Sequence, residues 1–94
     1  MVTVKDILEA LKTDTKVVRI DYDIVPSEVR GYKVTVEYDR KTNSGKIVRY
    51  FREFVVEGEN LTDNEVLGSE AYEVRITVRN PYLRIWHRGY RGRR

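Results

Sequence analysis

Hydrophobic residues along this chain recur at two spacings, and the change between them marks the first structural boundary. Val4, Ile7, Leu8 and Leu11 stand at i, i+3, i+4 and i+7, one stripe of a helix. Thr3, with Asp6 three positions on, offers a variant of the capping box. The helix is therefore expected from about Val4 to Lys12, stopping near Thr13-Asp14-Thr15. A helix of about nine residues is marginal in isolation, so it must dock on something.

From Lys16 the spacing becomes two. Val18, Ile20, Tyr22 and Ile24 share one face of a first strand, with Arg19, Asp21 and Asp23 on the other, and Pro26 closes it because proline cannot donate to a ladder. The residues from Ser27 to Gly31 connect it to the clearest strand, Tyr32 to Asp39. There Tyr32, Val34, Val36 and Tyr38 alternate with Lys33, Thr35, Glu37 and Asp39, the mark of an antiparallel strand with one solvated face. The polar loop Arg40 to Gly45 reads as a hairpin connection.

The third strand, Lys46 to Glu57, is less regular. Val48, Tyr50, Phe54 and Val56 favour one face with Arg52 intruding, while Ile47, Arg49, Phe51, Glu53 and Val55 fall on the other. Either a bulge near Tyr50-Phe51 switches the faces, or the strand is central and covered on both sides. Thr62 and Glu65 then have capping-box spacing ahead of Val66, Leu67 and Gly68, which predicts a short helical turn. In the fourth strand, Ala71 to Arg79, Tyr72, Val74, Ile76 and Val78 are expected to face inward. Glu73, Arg75, Thr77 and Arg79 are expected to face outward.

Asn80-Pro81 signals a turn. Beyond it, Tyr82, Arg84, Trp86, Arg88 and Tyr90 share one parity, against Leu83, Ile85 and His87 on the other. A fifth strand is expected over Tyr82 to Arg88. The remaining residues, 89–94, are too rich in glycine and arginine for regular structure and are expected to form a flexible tail on a domain of residues 1–88. The pattern as a whole predicts an α+β fold, an N-terminal helix on a four- to five-stranded antiparallel sheet. Five strands at about 4.8 Å span roughly 19 Å, whereas a helix is about 10 Å wide. One short helix cannot cover such a sheet, so the leftover apolar face calls for the Thr62–Gly68 turn, a curled sheet or a second copy. A homodimer is the expectation.

Composition narrows the function. At 94 residues the chain is one domain with a modest core. It has no cysteine, so neither a disulfide framework nor a thiolate metal site is available. No apolar run approaches the roughly 20 residues of a membrane span, and the start of the chain lacks the pattern of a signal peptide. A cytoplasmic protein without membrane contact or small-molecule cofactor is expected. The 35% charged content and absence of glutamine suit a heat-adapted source.

The net charge of +3 is unevenly placed. Five arginines and no acid lie from Arg84 onward; without them 13 basic and 15 acidic residues leave −2. Residues 53–73 carry seven acids and no base. A basic terminus on a near-neutral body points to a polyanionic partner.

Arginine pairs bidentately with phosphate, and aromatic faces stack on unpaired bases. The interleaving of the two makes Arg84, Trp86, Arg88 and Tyr90, with Arg91, Arg93 and Arg94 as an electrostatic arm, the first candidates for a nucleic-acid track, DNA or RNA. Packing of Tyr82 and Trp86 in the core or at a subunit contact is the competing account. A second group, Lys33, Arg49, Phe51, Arg75 and Arg79, shares the outer sheet face, although Glu37, Asp39, Glu53 and Glu73 on the same parity could instead form cross-strand ion pairs there. Asp21 and Asp23, with Glu37 or Asp39 nearby, could hold Mg²⁺ for phosphodiester hydrolysis, but no recognisable catalytic motif accompanies them. The single histidine, His87, has no cysteine or second histidine to form a metal site, so no metal or catalytic residue is assigned. The expected function is non-enzymatic nucleic-acid binding. The alternative is a protein–protein or assembly module whose basic tail docks on an acidic partner surface.

Overall fold

The computed structural model describes residues 2–28 and 30–79. The expected fifth strand and basic tail lie outside them, and with them Arg84, Trp86, Arg88, Tyr90, Arg91, Arg93 and Arg94. The order of elements is α1 (Val4–Thr13), β1 (Val17–Pro26), β2 (Tyr32–Lys41), β3 (Ile47–Val56), α2 (Asp63–Leu67) and β4 (Tyr72–Arg79). Among the described residues the strands form one antiparallel sheet in sequential order, with helices packed on one face. This is the α+β arrangement that the spacing predicts. No helix among the described residues is long and apolar enough to cross a membrane.

Both helices start at reciprocal capping boxes. The Thr3 hydroxyl accepts from the Asp6 N–H at 3.1 Å, and the Asp6 carboxylate accepts from the Thr3 N–H at 3.1 Å. Thr62 and Glu65 repeat the motif at 3.2 and 2.8 Å. Each box satisfies two donors that a helix start would otherwise leave open. The entry to α1 is tied to the start of β4, where the Ala71 N–H donates to the Val2 carbonyl at 2.9 Å and Thr3 bridges Glu70. From that anchor α1 lies over the sheet towards β1. Val4, Leu8 and Leu11 of α1 and Val66 of α2 close on Val34, Val36 and Tyr38 of β2 and on Phe54 and Val56 of β3. Tyr38 and Tyr50 stack in parallel at the margin of this core, ring centroids 4.9 Å apart. The connection between β1 and β2 depends on Gly31 (φ +80°), where a Cβ would stand 2.2 Å from the Val56 carbonyl oxygen.

The two outer strands depart from their predicted faces, each through a bulge. In β1 the register shifts between Val17 and Arg19. Val17 packs against the core, and Val18, expected inside, is half exposed. In β4, Arg75 opposes Glu53 while Glu73 opposes Phe54, so Val74 is the extra residue. The bulge turns Glu73 to the helix-covered side and Tyr72 to the outer side, the reverse of the expectation. There Glu73 receives two hydrogen bonds from Arg52, at 2.7 and 2.9 Å, and the Arg52 guanidinium lies over the Phe54 ring at 5.4 Å. The arginine that seemed to intrude into β3 thus has a defined place at the rim of the core. β3 is a central strand, paired without a break to β2 from Ile47 to Val56. Of the two alternatives for this strand, the bulge near Tyr50-Phe51 is not found, and the extra residue lies in the neighbouring β4.

The helices cover only part of their face. Val74, Ile76 and Val78 of β4 are 54–59% exposed. Substitutions should separate the two halves. Phe54→Ala is expected to cost about 3–5 kcal/mol, the usual range for a fully buried phenylalanine. Ile76→Ala is expected to stay within about 1 kcal/mol, because its side chain leaves little packing behind. Urea denaturation of both variants below 10 µM measures this, and equal losses would mean that β4 is covered.

Candidate nucleic-acid interface

The outer face of the sheet carries the second group of predicted site residues, and strand pairing divides them. Lys33 pairs with Glu53 at 2.9 Å. Arg49 holds Asp39 in a bidentate contact, 2.8 and 3.1 Å, and Arg19 approaches the same carboxylate at 3.3 Å while also pairing with Glu37. Asp39 is buried beneath these groups. Lys33 and Arg49 are therefore engaged within the sheet, the cross-strand pairing that the mixed signs suggested.

Arg75 and Arg79 are placed differently. Both are exposed on β4. Arg79 stands opposite Arg49 in the register, and like charges directly opposite repel. Arg49 is drawn away to Asp39, and the Arg79 guanidinium settles over the Phe51 ring, 5.7 Å from its centroid. Arg75 stands opposite Glu53, but Lys33 holds that carboxylate from the other side. Among the described residues no carboxylate lies within ion-pair distance of Arg75 or Arg79.

Phe51, Glu53, Arg75 and Arg79, with Thr35 and Thr77, line a shallow depression of about 410 Å³. It brings together an aromatic ring, the guanidinium groups of Arg75 and Arg79, two hydroxyls and the Glu53 carboxylate that Lys33 holds. A planar ring can stack on Phe51 by displacing the Arg79 guanidinium that lies over it, and an anionic group can sit between the arginines. Sequence reasoning missed Thr35 and Thr77. Their parity was legible, and what placed them beside Phe51 was the pairing of Phe51 with Thr77 and the adjacency of β2.

The opposite side of the face is acidic. Asp21 and Asp23 on β1, with Tyr22, Thr35 and Glu37, border a notch of only about 70 Å³. Glu37 and Asp39, the carboxylates expected to complete a Mg²⁺ site, are held by Arg19 and Arg49. Among the described residues no three His, Cys, Asp or Glu side chains are grouped to hold a metal ion. No protein-family model, curated protein or solved structure matches the chain.

The ion pairs set a pH dependence. Arg49 holds the Asp39 carboxyl below the ordinary carboxylate range, with Arg19 adding to it and burial opposing it. Arg52 does the same for Glu73. Depressed folded-state values mean stability that is complete above the unfolded-state pKa of about 4 and is lost as the pH falls through the folded values. The thermal midpoint is expected to be flat from about pH 7 to 5 and to drop below about pH 4. Asp39→Asn should lower the midpoint at pH 7 and make the acid limb shallower. A calorimetric pH series checks both, and an unchanged midpoint in the variant would show that Asp39 contributes nothing.

Proposed function

We propose that this protein is a non-enzymatic nucleic-acid-binding module that works through phosphate and stacking contacts rather than base-edge readout. The observation that carries the reading is the pair of exposed arginines, Arg75 and Arg79, which have no acidic partner among the described residues and flank Phe51 on the outer sheet face. β4 leads directly into the arginine- and aromatic-rich residues 80–94. In this reading Phe51 offers a stacking surface, and Arg75 and Arg79 hold the adjoining phosphates. Arg84, Trp86, Arg88 and Tyr90 extend the track, and Arg91, Arg93 and Arg94 add long-range attraction. Elsewhere on the outer face Arg19, Lys33 and Arg49 are paired with acids, and Asp21 and Asp23 add negative charge on β1, so the positive field lies on the β4 side.

The assembly reading is the alternative, with the basic tail docked on an acidic partner surface such as residues 53–73 of a neighbouring copy. The uncovered side chains of Val74, Ile76 and Val78 favour it.

Fluorescence anisotropy with single- and double-stranded DNA and RNA over a salt series tests the proposal. Affinity should fall steeply and linearly on a logarithmic salt scale. A chain ending at Arg88 should bind more weakly with a flatter slope. Phe51→Ala should lose about 1–3 kcal/mol of affinity for single strands, the usual worth of one stacked base. Arg75→Glu/Arg79→Glu should weaken binding to every sequence. Absence of binding to any of the four nucleic acids at 50 mM salt would end this reading.

A further inference from the structure

The outer edge of β4 is unfinished in two respects. Among the described residues β4 pairs only with β3, and none of them takes up the backbone donors and acceptors along its other side. Its side chains Val74, Ile76 and Val78 are more than half exposed on one face. The other edge of the sheet is protected. β1 carries Asp21 and Asp23, bulges at Val18 and ends at Pro26, all of which discourage the addition of a strand. From Arg75 to Arg79, β4 has neither a bulge nor a proline, and its two charged residues, Arg75 and Arg79, stand on the face opposite Ile76 and Val78.

We propose that a second copy of this chain adds its own β4 to this edge, antiparallel, about a twofold axis at Ile76. The sequence V-R-I-T-V from Val74 to Val78 is palindromic in its apolar positions. Pairing about Ile76 sets Ile76 opposite the partner's Ile76 and Arg75 opposite the partner's Thr77, with Val74, the bulged residue, at the end of the seam beside the partner's Val78. The neighbouring registers are penalised. Centred on Thr77, Arg75 faces the partner's Arg79; centred on Arg75, it faces the partner's Arg75. Ile76 meets an apolar residue in these registers too, the partner's Val78 in one and the partner's Val74 in the other, so the apolar positions do not choose between them. Like charges directly opposite are destabilising, and that repulsion favours the Ile76-centred register.

Residues 80–94 of the same chain are the competing occupant. A tight return onto β4 through Asn80-Pro81 needs a two-residue turn whose twist suits a hairpin. The type I′ turn requires positive φ at both positions, which Pro81 cannot adopt, and the type II′ turn wants glycine where Asn80 stands. A loop of about three to five residues does not meet this obstacle, and the cross-linking below separates that return from a second copy.

A seam of one strand from each copy buries less than the roughly 1,200 Å² of a standard interface, so the dimer is a reversible one. It joins the two outer faces into one continuous surface. The rings of Phe51 and the partner's Phe51 are then three inter-strand spacings apart across the sheet, about 14 Å, and two residues apart along it, about 7 Å, so they lie roughly 16 Å from one another. This inference stands whether or not the surface binds nucleic acid.

The chain has no cysteine, so single introduced cysteines can map the seam. Under diamide, Ile76→Cys should form a disulfide-linked dimer, because directly opposed residues bring their Cα atoms within the 4.4–6.8 Å a disulfide needs. Thr77→Cys and Val78→Cys lie off the axis and should cross-link about tenfold more slowly or not at all. Sedimentation equilibrium of the unmodified full chain should show mass doubling with concentration, and Ile76→Lys, tolerated at a half-exposed position, should abolish it. A chain that stays monomeric up to about 500 µM overturns the proposal and leaves the edge to its own following residues. Faster cross-linking at Thr77 than at Ile76 overturns the register.

Discussion

A helix about 10 Å wide cannot cover four strands that span about 14 Å between their outer members, and the rest of this structure follows from where the cover is placed. The N-terminal end of α1 is fastened to the chain just ahead of β4, and the helix runs from there towards β1. With α2 beside it, the cover falls on β2 and β3, where the fully buried sheet residues lie. The arrangement leaves Val74, Ile76 and Val78 in the open. Arg52 marks the boundary: its guanidinium lies over the last buried ring and reaches to Glu73. A long side chain with an apolar stem and a charged head suits a place that is core on one side and water on the other.

The elements that local chemistry fixes were legible in the sequence. Both capping boxes, the alternation of β2 and the polar hairpin loop depend on residues within a few positions of one another, and the structure reproduces them. The bulges were not legible, because an extra residue in one strand is defined against its partner. Val17 and Val18 are the same residue type, and nothing in their order says which turns inward. Tyr72 and Glu73 exchanged faces for the same reason, since the shift in β4 is measured against Glu53 and Phe54 of β3.

The candidate site was legible to the same extent. Period-two parity placed Lys33, Arg49, Phe51, Arg75 and Arg79 on one face. It could not say which cations would be used up, because that depends on strand order. β2 lies beside β3 and brings Asp39 to Arg49; β4 has no acidic neighbour to spare. Acids gather towards β1, and the unpaired arginines stand at the opposite edge. A face that is nearly neutral in total thus has a direction, and a polyanion approaching it would meet attraction on one side and repulsion on the other.

The stacked pair Tyr38 and Tyr50 has a spectroscopic consequence. Two phenol rings 4.9 Å apart and within 8° of parallel couple their transitions, so this pair should dominate the tyrosine region of near-ultraviolet circular dichroism. The one tryptophan of the chain, Trp86, absorbs and emits at longer wavelength and belongs to the terminal segment. The protein therefore carries two separate optical reporters without any label. One reads the integrity of the core through tyrosine dichroism, and the other reads the surroundings of the basic terminus through tryptophan emission. Loss of one signal without the other would tell unfolding of the sheet apart from a change confined to the terminus.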